Sequence, residues 1–221
     1  MNCQDIMETK TRTKRVYHSS RRREQALQTQ REIIEAAQSL FTLRGYAGAT
    51  IEAIATQAGV ATETVYATFG NKRAILSKLL EVSLAGDDLP IPLLERQGPQ
   101  AVMRETDQHR QIELFVNDMY GIMSRMAPLF DIMRVAAKTE PDIAEMFHTL
   151  LNTRAQNMSV FVNALMKNGP LRDGLTPEEG ADTIWMLTSG EVFILLNTDR
   201  GWSEEKYKRW LIETLTRLLL P

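Results

Sequence analysis

The sequence predicts an all-α protein in which a small N-terminal helical domain is joined to a larger helical domain. Apolar residues recur at helical spacing over nearly the whole chain, and the two-residue alternation typical of strands is almost absent. Glycine and proline are sparse, with 12 and 8 residues in a chain of 221, so helices are interrupted at few points. The aspartate- and proline-rich stretch at residues 87–92 breaks this pattern. We therefore expect a basic arm at 1–23, disordered in isolation, and domains at 24–86 and 87–221.

The elements follow from the apolar periodicity and from the residues that start and stop helices. The first helix is predicted from Glu24 to Arg44, with Gly45 as its stop. Its apolar face comprises Ile33, Ala37, Leu40 and Phe41. Two short helices follow, and then one from about Asn71 to Ala85. Beyond the boundary we predict helices near 99–105, 107–125, 127–139, 141–168, 176–198 and 203–220, separated in the middle by Pro128 and Pro141 and ended later by Gly169-Pro170 and Gly201.

Charge is distributed unevenly along the chain. Residues 1–80 hold 12 Lys+Arg against 7 Asp+Glu, a difference of +5, and residues 81–221 hold 14 against 21, a difference of −7. The basic N-terminal part is suited to meet a polyanion, whereas the acidic remainder is not.

Several classes of protein and site are disfavoured by composition. The single cysteine, Cys3, allows no intramolecular disulfide, and the three histidines lie too far apart for metal-ligand spacing. We therefore expect no metal and no cofactor. No glycine-rich phosphate loop, catalytic triad or pair of catalytic carboxylates is present, so an enzyme is not expected. The N-terminus carries acids and no apolar stretch, and no apolar run approaches a membrane span, so we expect a cytoplasmic protein.

Residues 50–69 carry the strongest functional signal, two short helices joined by a glycine turn. Thr50 is a suitable N-cap for the first helix. The apolar stripe of that helix comprises Ile51, Ile54, Ala55 and Ala58. Gly59 can adopt a positive φ at low cost, and the second helix buries Val65 with Phe69. This arrangement is the one that places a second helix in the major groove of DNA.

The second helix is predicted to expose a polar face. That face comprises Thr62, Glu63, Thr64, Tyr66, Ala67 and Thr68. Hydroxyl groups can bond phosphates or base edges, methyl groups can meet thymine methyls, and Glu63 can accept a hydrogen bond from a cytosine amino group. Asn71 can cap the next helix, where Lys72 adds charge beside an anion-binding N-terminus. The spacing alone also fits two small packed helices that do not bind DNA.

The stretch from Ile33 to Leu80 resembles the DNA-binding domain of the tetracycline-repressor (TetR) family. The matching residues are Phe41, Gly45 and Tyr46, then Thr50-Ile51, Ile54-Ala55 and Ala58-Gly59-Val60, followed by Thr64-Val65-Tyr66, Phe69, Lys72 and a leucine-rich fourth helix. Because so many positions agree in register, the resemblance is specific, and it favours DNA binding over a simple pair of packed helices.

The resemblance also implies roles for individual residues. Thr50, Tyr66 and Lys72 would contact phosphates. The residues that it places near base edges are Thr62, Glu63, Thr64 and Ala67. At Ala61 the chain departs from the family, which often has a serine there as a cap and phosphate contact. We keep Ala61 in the predicted DNA interface and expect Thr62 to take over the capping.

A basic arm precedes the first helix. Its seven positive residues lie within 14 positions and are Lys10, Arg12, Lys14, Arg15, Arg21, Arg22 and Arg23. Such an arm can enter the minor groove or follow phosphates, whereas a solvated tail that aids solubility would have the same composition. Beside a helix-turn-helix we favour contact with DNA, and we assign Arg21, Arg22 and Arg23 to it, with a mostly non-specific and salt-dependent contribution.

The last two predicted helices are amphipathic. One apolar face comprises Ala181, Ile184, Trp185, Thr188, Val192 and Leu195, and the other comprises Tyr207, Trp210, Leu211, Thr214, Leu215 and Leu218. By the resemblance, helices 176–198 and 203–220 form a four-helix bundle with the same pair of a second subunit, giving a homodimer. The alternative is that both faces pack only within their own subunit.

The C-terminal region is rich in methionine, which suits either an ordinary helical core or a pocket for varied apolar ligands. The predicted ligand-binding residues are Phe115, Met119, Tyr120, Met123, Met126, Phe130, Met133, Phe147 and Trp185. Asp118 and Glu113 are candidate polar anchors. The acidic balance of this region favours a neutral or cationic ligand over an anionic one.

Together these features predict a dimeric DNA-binding regulator, a repressor that a small apolar ligand releases from a palindromic operator. The ligand would shift the fourth helix and change the spacing of the two recognition helices. The alternative is a helical adaptor that binds protein partners without specific DNA binding. The two hypotheses differ at Tyr66 and Thr64, because the adaptor hypothesis gives these two residues no role.

Overall fold

The computed structural model describes the backbone of residues 12–221 and the side chains of residues 21–221. This part of the chain is built from α-helices with no strand, as the sequence predicts. The helices are α1 (Arg12–Gly48), α2 (Ile51–Ala58), α3 (Thr62–Phe69), α4 (Lys72–Ala85), α5 (Gln97–Arg104), α6 (Gln108–Ala136), α7 (Pro141–Asn168), α8 (Pro177–Leu187), α9 (Gly190–Phe193) and α10 (Glu204–Leu219). A 3-10 turn at Leu93–Glu95 precedes α5, and a π-helical segment at Ile194–Asp199 follows α9.

The first four helices form a small domain around one apolar core. Gly45, with φ 68° and ψ 173°, interrupts α1 at the predicted stop, and the chain turns there towards α2. Only glycine adopts this backbone conformation without strain. The residues of the domain that are essentially inaccessible to solvent include Ile33, Ala37, Phe41, Ile54, Ile75 and Leu76. The helix-turn-helix is thereby held on α1 and α4.

Helix α1 begins well before the predicted start at Glu24. It is helical from Arg12, so the part of the basic arm at residues 12–23 continues the helix, whereas residues 1–11, with Lys10, lie outside the described part. No glycine or proline lies between Arg12 and Arg44, and arginine, lysine, glutamine and glutamate are good helix formers. Propensity alone therefore lets the helix extend beyond the residues that pack on the core.

The two helices predicted at 107–125 and 127–139 are a single helix, α6, and this prediction is corrected. Pro128 lies inside α6 and is exposed to solvent. A proline in a helix interior costs about 3 kcal/mol. Residues on both sides of it, including Met126, Ala127, Leu129 and Phe130, are at most 5% exposed. Their burial holds the helix together across the proline.

The helix predicted at 176–198 is broken, which is a second correction. α8 ends at Leu187, Ser189 caps α9 by accepting a hydrogen bond from the backbone of Val192, and a π-helical segment follows. Thr188 donates its hydroxyl to the carbonyl of Ile184. Ser and Thr side chains that bond the backbone compete with a continuous helix. Tertiary packing also favours the break. Gly190 lies against Phe130, and any side chain at position 190 would bring its Cβ within 3.3 Å of the Cβ of Phe130.

Helix α6 is the centre of the larger domain. Helices α5, α7, α9 and α10 pack against it, as do α1 and α4 of the N-terminal domain, and α8 packs mainly on α7. Helix α6 therefore contacts both domains along its length. In the described part of the chain no helix is long and apolar enough to span a membrane.

Candidate DNA-binding surface and ligand cavity

Helix α2 begins where the sequence predicts. Thr50 adopts an extended backbone, and its Oγ1 accepts a hydrogen bond from the backbone N–H of Ala53 at 3.2 Å. Accepting this bond leaves the hydroxyl proton of Thr50 free to donate elsewhere. Because Thr50 is exposed, its hydroxyl can cap α2 and donate to a phosphate at the same time.

The turn between α2 and α3 is fixed by Gly59 and Val60. Gly59 has φ 70° and ψ 27°, in the left-handed region. The backbone N–H of Val60 donates to the carbonyl of Ala55 at 3.0 Å, which closes α2 in a Schellman arrangement. Ala55 is 2% exposed, and its small side chain lets the helices approach closely. The relative direction of α2 and α3 therefore follows from a short stretch of sequence.

Helix α3 presents the predicted polar face, but its start differs from the expectation. Ala61 is the N-cap residue and makes no side-chain cap, and Thr62 is already the first helical residue. The prediction that Thr62 caps the helix is therefore wrong, because a residue inside the first turn is not at the capping position. Val65 is buried, Phe69 is half-buried, and the exposed residues of α3 are Glu63, Tyr66, Ala67 and Thr68, with Thr62 and Thr64 half-buried.

The extended N-terminal part of α1 lies beside α3. Arg22 and Arg23 line a shallow groove together with Thr64 and Thr68. Arg21, Arg22 and Arg23 are all exposed. Two arginines and two threonines thus form one concave surface that combines positive charge with hydroxyl groups. The Oγ1 of Thr68 donates to the carbonyl of Thr64 at 2.7 Å, so this hydroxyl is already engaged in the helix.

Lys72 is fixed at the start of α4. Its Nζ donates to the carbonyl of Tyr46 at 2.7 Å and lies 4.2 Å from the centre of the Tyr46 ring. Burial lowers the pKa of Lys72, and the charge of Glu140 opposes this shift. An ammonium group has three donors, so Lys72 can hold Tyr46 and still donate to a phosphate. Asn71 caps α4 by accepting from the N–H of Ala74 at 2.9 Å, as the sequence predicts.

A cavity of about 100 Å³ lies between α4, α5, α6 and α7. Five of the predicted ligand-binding residues line it: Phe115, Met119, Met123, Met126 and Phe130. The rings of Phe115 and Phe161 are stacked with centroids 4.0 Å apart. Asp118 also lines the cavity, and burial raises its pKa while the charge of Arg125 lowers it.

The other predicted ligand-binding residues lie away from this cavity. Tyr120 faces α9 and α10, with its ring centre 5.5 Å from that of Phe193. Phe147 packs edge-on against the Phe130 ring, with the ring centres 6.2 Å apart. Met133 is buried in the core and Trp185 lies on α8. Glu113 pairs with Arg110 on the surface of α6. A stretch of helix has several faces, and only one of them can meet a given cavity.

Sequence reasoning missed the contribution of α7 to this cavity. The residues of α7 that line it are Leu150, Thr153, Arg154, Asn157, Met158, Val160 and Phe161. Their helical spacing was visible in the sequence, but nothing there distinguished a cavity wall from ordinary core. Arg154 was the available signal, because it is a charged residue on the helical face that carries Leu150, Leu151 and Met158.

The end of α4 connects the cavity to the helix-turn-helix domain. Leu84, near the C-terminus of α4, lines the cavity. Arg125 of α6 donates through Nε to the carbonyl of Ser83 at 2.7 Å. Arg96 binds Asp87 with two hydrogen bonds and also donates to the carbonyl of Ala85. A change in the cavity can therefore move α4 through direct contacts.

The predicted dimer helices expose apolar side chains in the single chain. Leu195 is 54% and Met186 is 51% exposed. Trp210, Thr214 and Leu218 are half-buried, whereas the core side of the same helices is fully buried. The two faces thus divide between the subunit's own core and an outer surface. The described residues contain no group of His, Cys, Asp and Glu side chains suited to hold a metal ion.

The comparisons with known proteins agree with the N-terminal geometry. Residues 33–79 match the model of a family described as bacterial regulatory proteins, tetR family. No curated protein sequence matches the chain significantly.

Solved structures with a similar fold span nearly the whole chain. A transcriptional regulator FadR from Bacillus subtilis in complex with stearoyl-CoA is 19% identical, with a TM-score of 0.64, covering 83% of this chain and 96% of that one. PfmR, a TetR family transcriptional regulator from Thermus thermophilus, is 16% identical with a TM-score of 0.59, covering 85% and 96%. A protein described as a transcriptional regulator from Saccharomonospora viridis, in complex with choline, is 19% identical with a TM-score of 0.61, covering 87% and 97%. Identities this low show a shared fold.

Proposed function

We propose that the chain is a transcriptional regulator, a dimeric repressor released from a palindromic operator by a small ligand. The match of residues 33–79 to the tetR-family model and the TetR-like fold of the whole chain support this proposal. The DNA-binding surface comprises α3, the start of α2, the start of α4 and the basic part of α1. The cavity between α4, α5, α6 and α7 receives the ligand.

The polar face of α3 carries this proposal. Tyr66 is 47% exposed although it is a large aromatic residue, and it stands between the exposed Glu63 and Ala67 on one side of the helix. Thr50 with its free hydroxyl proton and Lys72 with its free donors stand at the starts of α2 and α4, the two helices that pack against α3. Side chains that end in donors on both sides of a recognition helix are suited to grip the phosphates on either side of a major groove.

The basic part of α1 extends this surface. Arg22 and Arg23 share a groove with Thr64 of the recognition helix, so DNA bound to α3 would also pass close to their positive charges. Contacts of this kind are insensitive to sequence and weaken steeply with salt. They raise affinity, while residues 62–64 and 67 distinguish the bases.

A dimer gives this surface its specificity. Two recognition helices spaced about one DNA turn apart, roughly 34 Å, read an inverted repeat. The exposed apolar side chains of α8 and of the segment after α9, together with the half-buried outer face of α10, support an interface between two copies of the chain.

Ligand release follows from the position of α4. A ligand that enlarges the cavity presses on Leu84, near the C-terminal end of α4. The N-terminal end of the same helix carries Lys72 and supports the helix-turn-helix. The ligand must bind the form that does not bind DNA more tightly, with a coupling of about 1–3 kcal/mol. The stearoyl-CoA and choline in the structures of similar fold support a small-molecule ligand here without indicating which one.

The proposal is tested by selecting bound sequences from a randomised duplex DNA library with the purified protein. An enriched inverted repeat is the expected result. Absence of any enrichment, at low as well as near-physiological salt, would contradict specific DNA binding and would favour the helical adaptor.

Two variants then test the assignment of residues on the enriched operator. Tyr66→Phe removes only a hydroxyl and should weaken binding to all sequences equally, by roughly tenfold if the bond is to a charged phosphate. Thr64→Ala should instead alter the preferred base at one position of each half-site. Glu81→Gln, on the exposed side of α4, is the control. Unchanged binding by both test variants would contradict the contacts proposed here.

A further inference from the structure

The ligand cavity is almost entirely apolar, which makes its few polar residues informative. Only four of its twenty lining residues carry polar side chains, and these are Asp118, Thr153, Arg154 and Asn157. Three of the four belong to one face of α7. Asp118 lies on α6. The cavity therefore has one polar wall with a cation and an amide, and a separate carboxylate.

Arg154 is a buried cation without an anionic partner. The residue is 8% exposed, and its Nη2 donates to the carbonyl of Trp185 at 2.7 Å and to Oγ1 of Thr188 at 2.6 Å. These bonds tie α7 to the end of α8 and account for one of its three nitrogens. Nε is buried and has no hydrogen-bond partner among the described residues. Among the described residues no carboxylate lies within ion-pair distance of Arg154, since it takes part in none of the ion pairs found there.

The protonation state of Arg154 follows from its surroundings. Burial lowers its pKa to about 10, and Tyr207 opposes this shift. The group therefore remains charged at neutral pH. A buried charge without a counter-charge is unfavourable unless other groups stabilise it. Two neutral acceptors and the Trp185 ring, 5.3 Å away, only partly meet this need.

The neighbours of Arg154 supply further donors. The amide of Asn157 lines the cavity one turn along α7 and forms no hydrogen bond with the described residues. The indole Nε1 of Trp185, which does not line the cavity, is buried and has no partner among the described residues. Guanidinium, amide and indole N–H groups all donate. This wall therefore offers donors to a ligand but no negative charge, and an anionic acceptor would compensate the charge of Arg154.

The carboxyl group of Asp118 favours a cationic ligand less strongly than Arg154 favours an anionic one. It is half-buried, and burial raises its pKa and so favours its neutral form. The positive charge of Arg125 acts in the opposite direction and only partly offsets this shift of the pKa. The charge of the Asp118 carboxyl is thus compensated by Arg125 or removed by protonation. Arg154 has no carboxylate partner among the described residues and stays charged at neutral pH.

We propose that the ligand of this cavity is an apolar carboxylate whose anionic group binds Arg154 and Asn157 and whose hydrocarbon part lies among the methionine and phenylalanine side chains. The proposal rests on the ligand-binding function proposed above and specifies its chemical class. It reverses the sequence-based expectation of a neutral or cationic ligand, because the local charge at the cavity wall decides affinity and the net charge of the region does not.

The size of the cavity adds a condition. An engineered protein cavity of about 150 Å³ holds benzene, and the present cavity is about 100 Å³. A carboxylate with a longer tail must therefore displace side chains. The unbranched side chains of Met119, Met123, Met126 and Met158 can change rotamer at low cost. Because Leu84 of α4 also lines the cavity, the ligand would displace Leu84 as the cavity expands.

The test is isothermal titration calorimetry of the full chain, without DNA, against matched series of straight-chain compounds. The probes are hexanoate, octanoate, decanoate and dodecanoate, each with its primary amide and its primary amine. We expect the carboxylate of the best chain length to bind at least about tenfold more tightly than its amide and its ammonium. Equal binding of the three head groups, preferred binding of the amine, or no binding of any probe would overturn the proposal.

Variants locate the anionic group. Arg154→Lys keeps a positive charge but not the planar fork, and Asn157→Leu removes the amide at similar volume. Both should lower carboxylate affinity about tenfold or more and leave amide affinity unchanged. Asp118→Asn, on the other side of the cavity, is the matched control and should leave carboxylate binding unchanged or tighter. A loss of binding in Asp118→Asn together with unchanged binding in Asn157→Leu would overturn the assignment.

The two proposals fail separately. Because Arg154 also holds α8, Arg154→Lys is first checked for an unchanged thermal transition, and the head-group comparison on the unmodified protein stands if this variant does not fold. Failure of operator selection would leave the calorimetric result untouched. Carboxylate binding that does not weaken operator binding would contradict ligand release but not the class of ligand.

Discussion

At the scale of single residues, several side chains combine a structural role with a proposed binding role. Thr50 caps α2 through its oxygen and keeps its hydroxyl proton for another acceptor. Lys72 holds the carbonyl of Tyr46 with one of its three donors. Arg154 holds α8 through Nη2, while its Nε has no partner in the described part of the chain. Such double use means that a simple deletion cannot distinguish loss of fold from loss of binding.

Thr50→Asp separates the two roles at that position. Aspartate is as good an N-cap as threonine, and its charge is favourable at a helix N-terminus, so the free energy of unfolding should stay within about 0.5 kcal/mol of the unmodified protein. Next to a phosphate the same charge is repulsive, and operator affinity should fall more than about tenfold. Urea denaturation and fluorescence anisotropy measure the two quantities.

Thr50→Ser is the control for this prediction. It keeps both the cap and the hydroxyl donor, so it should preserve stability and operator affinity. If Thr50→Asp bound the operator as well as Thr50→Ser does, Thr50 would not lie near a phosphate.

At the scale of elements, helix α3 is the least supported of the DNA-binding domain. It has eight residues, no side-chain N-cap and one fully buried side chain, Val65. Helices this short are not stable alone, so α3 depends on α2 and α4. Helix α6 is the opposite case, since thirteen of its residues are buried and it continues through Pro128.

Ala61→Ser should stabilise the domain by about 1 kcal/mol, because Ala61 already has the extended backbone of an N-cap residue, with φ −71° and ψ 147°, and lacks only a side-chain acceptor. The midpoint of urea denaturation should rise with no change in its slope.

Ala67→Ser introduces the same side chain at an exposed position inside α3 and serves as the control. Serine is a weaker helix former than alanine, so this variant should be neutral or slightly destabilising. Equal stabilisation by both substitutions would show that capping is not the cause.

At the scale of the whole molecule, α6 and α4 connect the cavity to the DNA-binding surface. Arg125 donates to Ser83 near the end of α4, and Arg73 near its start pairs with Asp142 of α7 at 3.2 Å. Helix α4 is therefore attached to the larger domain at both ends. In the proposed mechanism, a displacement of one end would tilt the helix and change the orientation of α3.

Arg125→Met should weaken the coupling between ligand and operator. In the unmodified protein we expect the tightest-binding probe to lower operator affinity by about 5- to 150-fold. In Arg125→Met this ratio of affinities without and with the probe should approach one, although the probe still binds. Anisotropy titrations with and without the probe measure this ratio. Arg134 lies on the same helix as Arg125 and pairs with Glu191 of α9, so Arg134→Met is the control and should leave the ratio unchanged. An equal loss in both variants would contradict a specific role for Arg125.

Leu195→Lys should disrupt the dimer. Placing a charge in an apolar interface is strongly unfavourable, so light scattering should show a shift to monomer at micromolar concentration, and affinity for the inverted repeat should fall. Val135→Lys is the matched control, because Val135 is 60% exposed on α6 and Leu195 is 54% exposed after α9. A dimer unaffected by Leu195→Lys would place the interface elsewhere.

The sequence by itself determined those features that depend on a few neighbouring residues. The stop at Gly45, the cap at Thr50, the turn at Gly59 and the cap at Asn71 are found where their residue types predict them. Each depends on a backbone preference or a local hydrogen bond that acts within about four residues. The helix-turn-helix, which consists almost entirely of such features, was therefore predictable together with its exposed face.

Only the tertiary structure decided the features that depend on distant neighbours. Burial on α6 overrides the local cost of Pro128, and packing of Gly190 on Phe130 accompanies the break after Thr188. The cavity wall on α7, and the buried Arg154 without a carboxylate partner, arise from helices that meet far along the chain. Periodicity identifies an apolar face, but the neighbour against which that face packs determines whether it becomes core, cavity or interface.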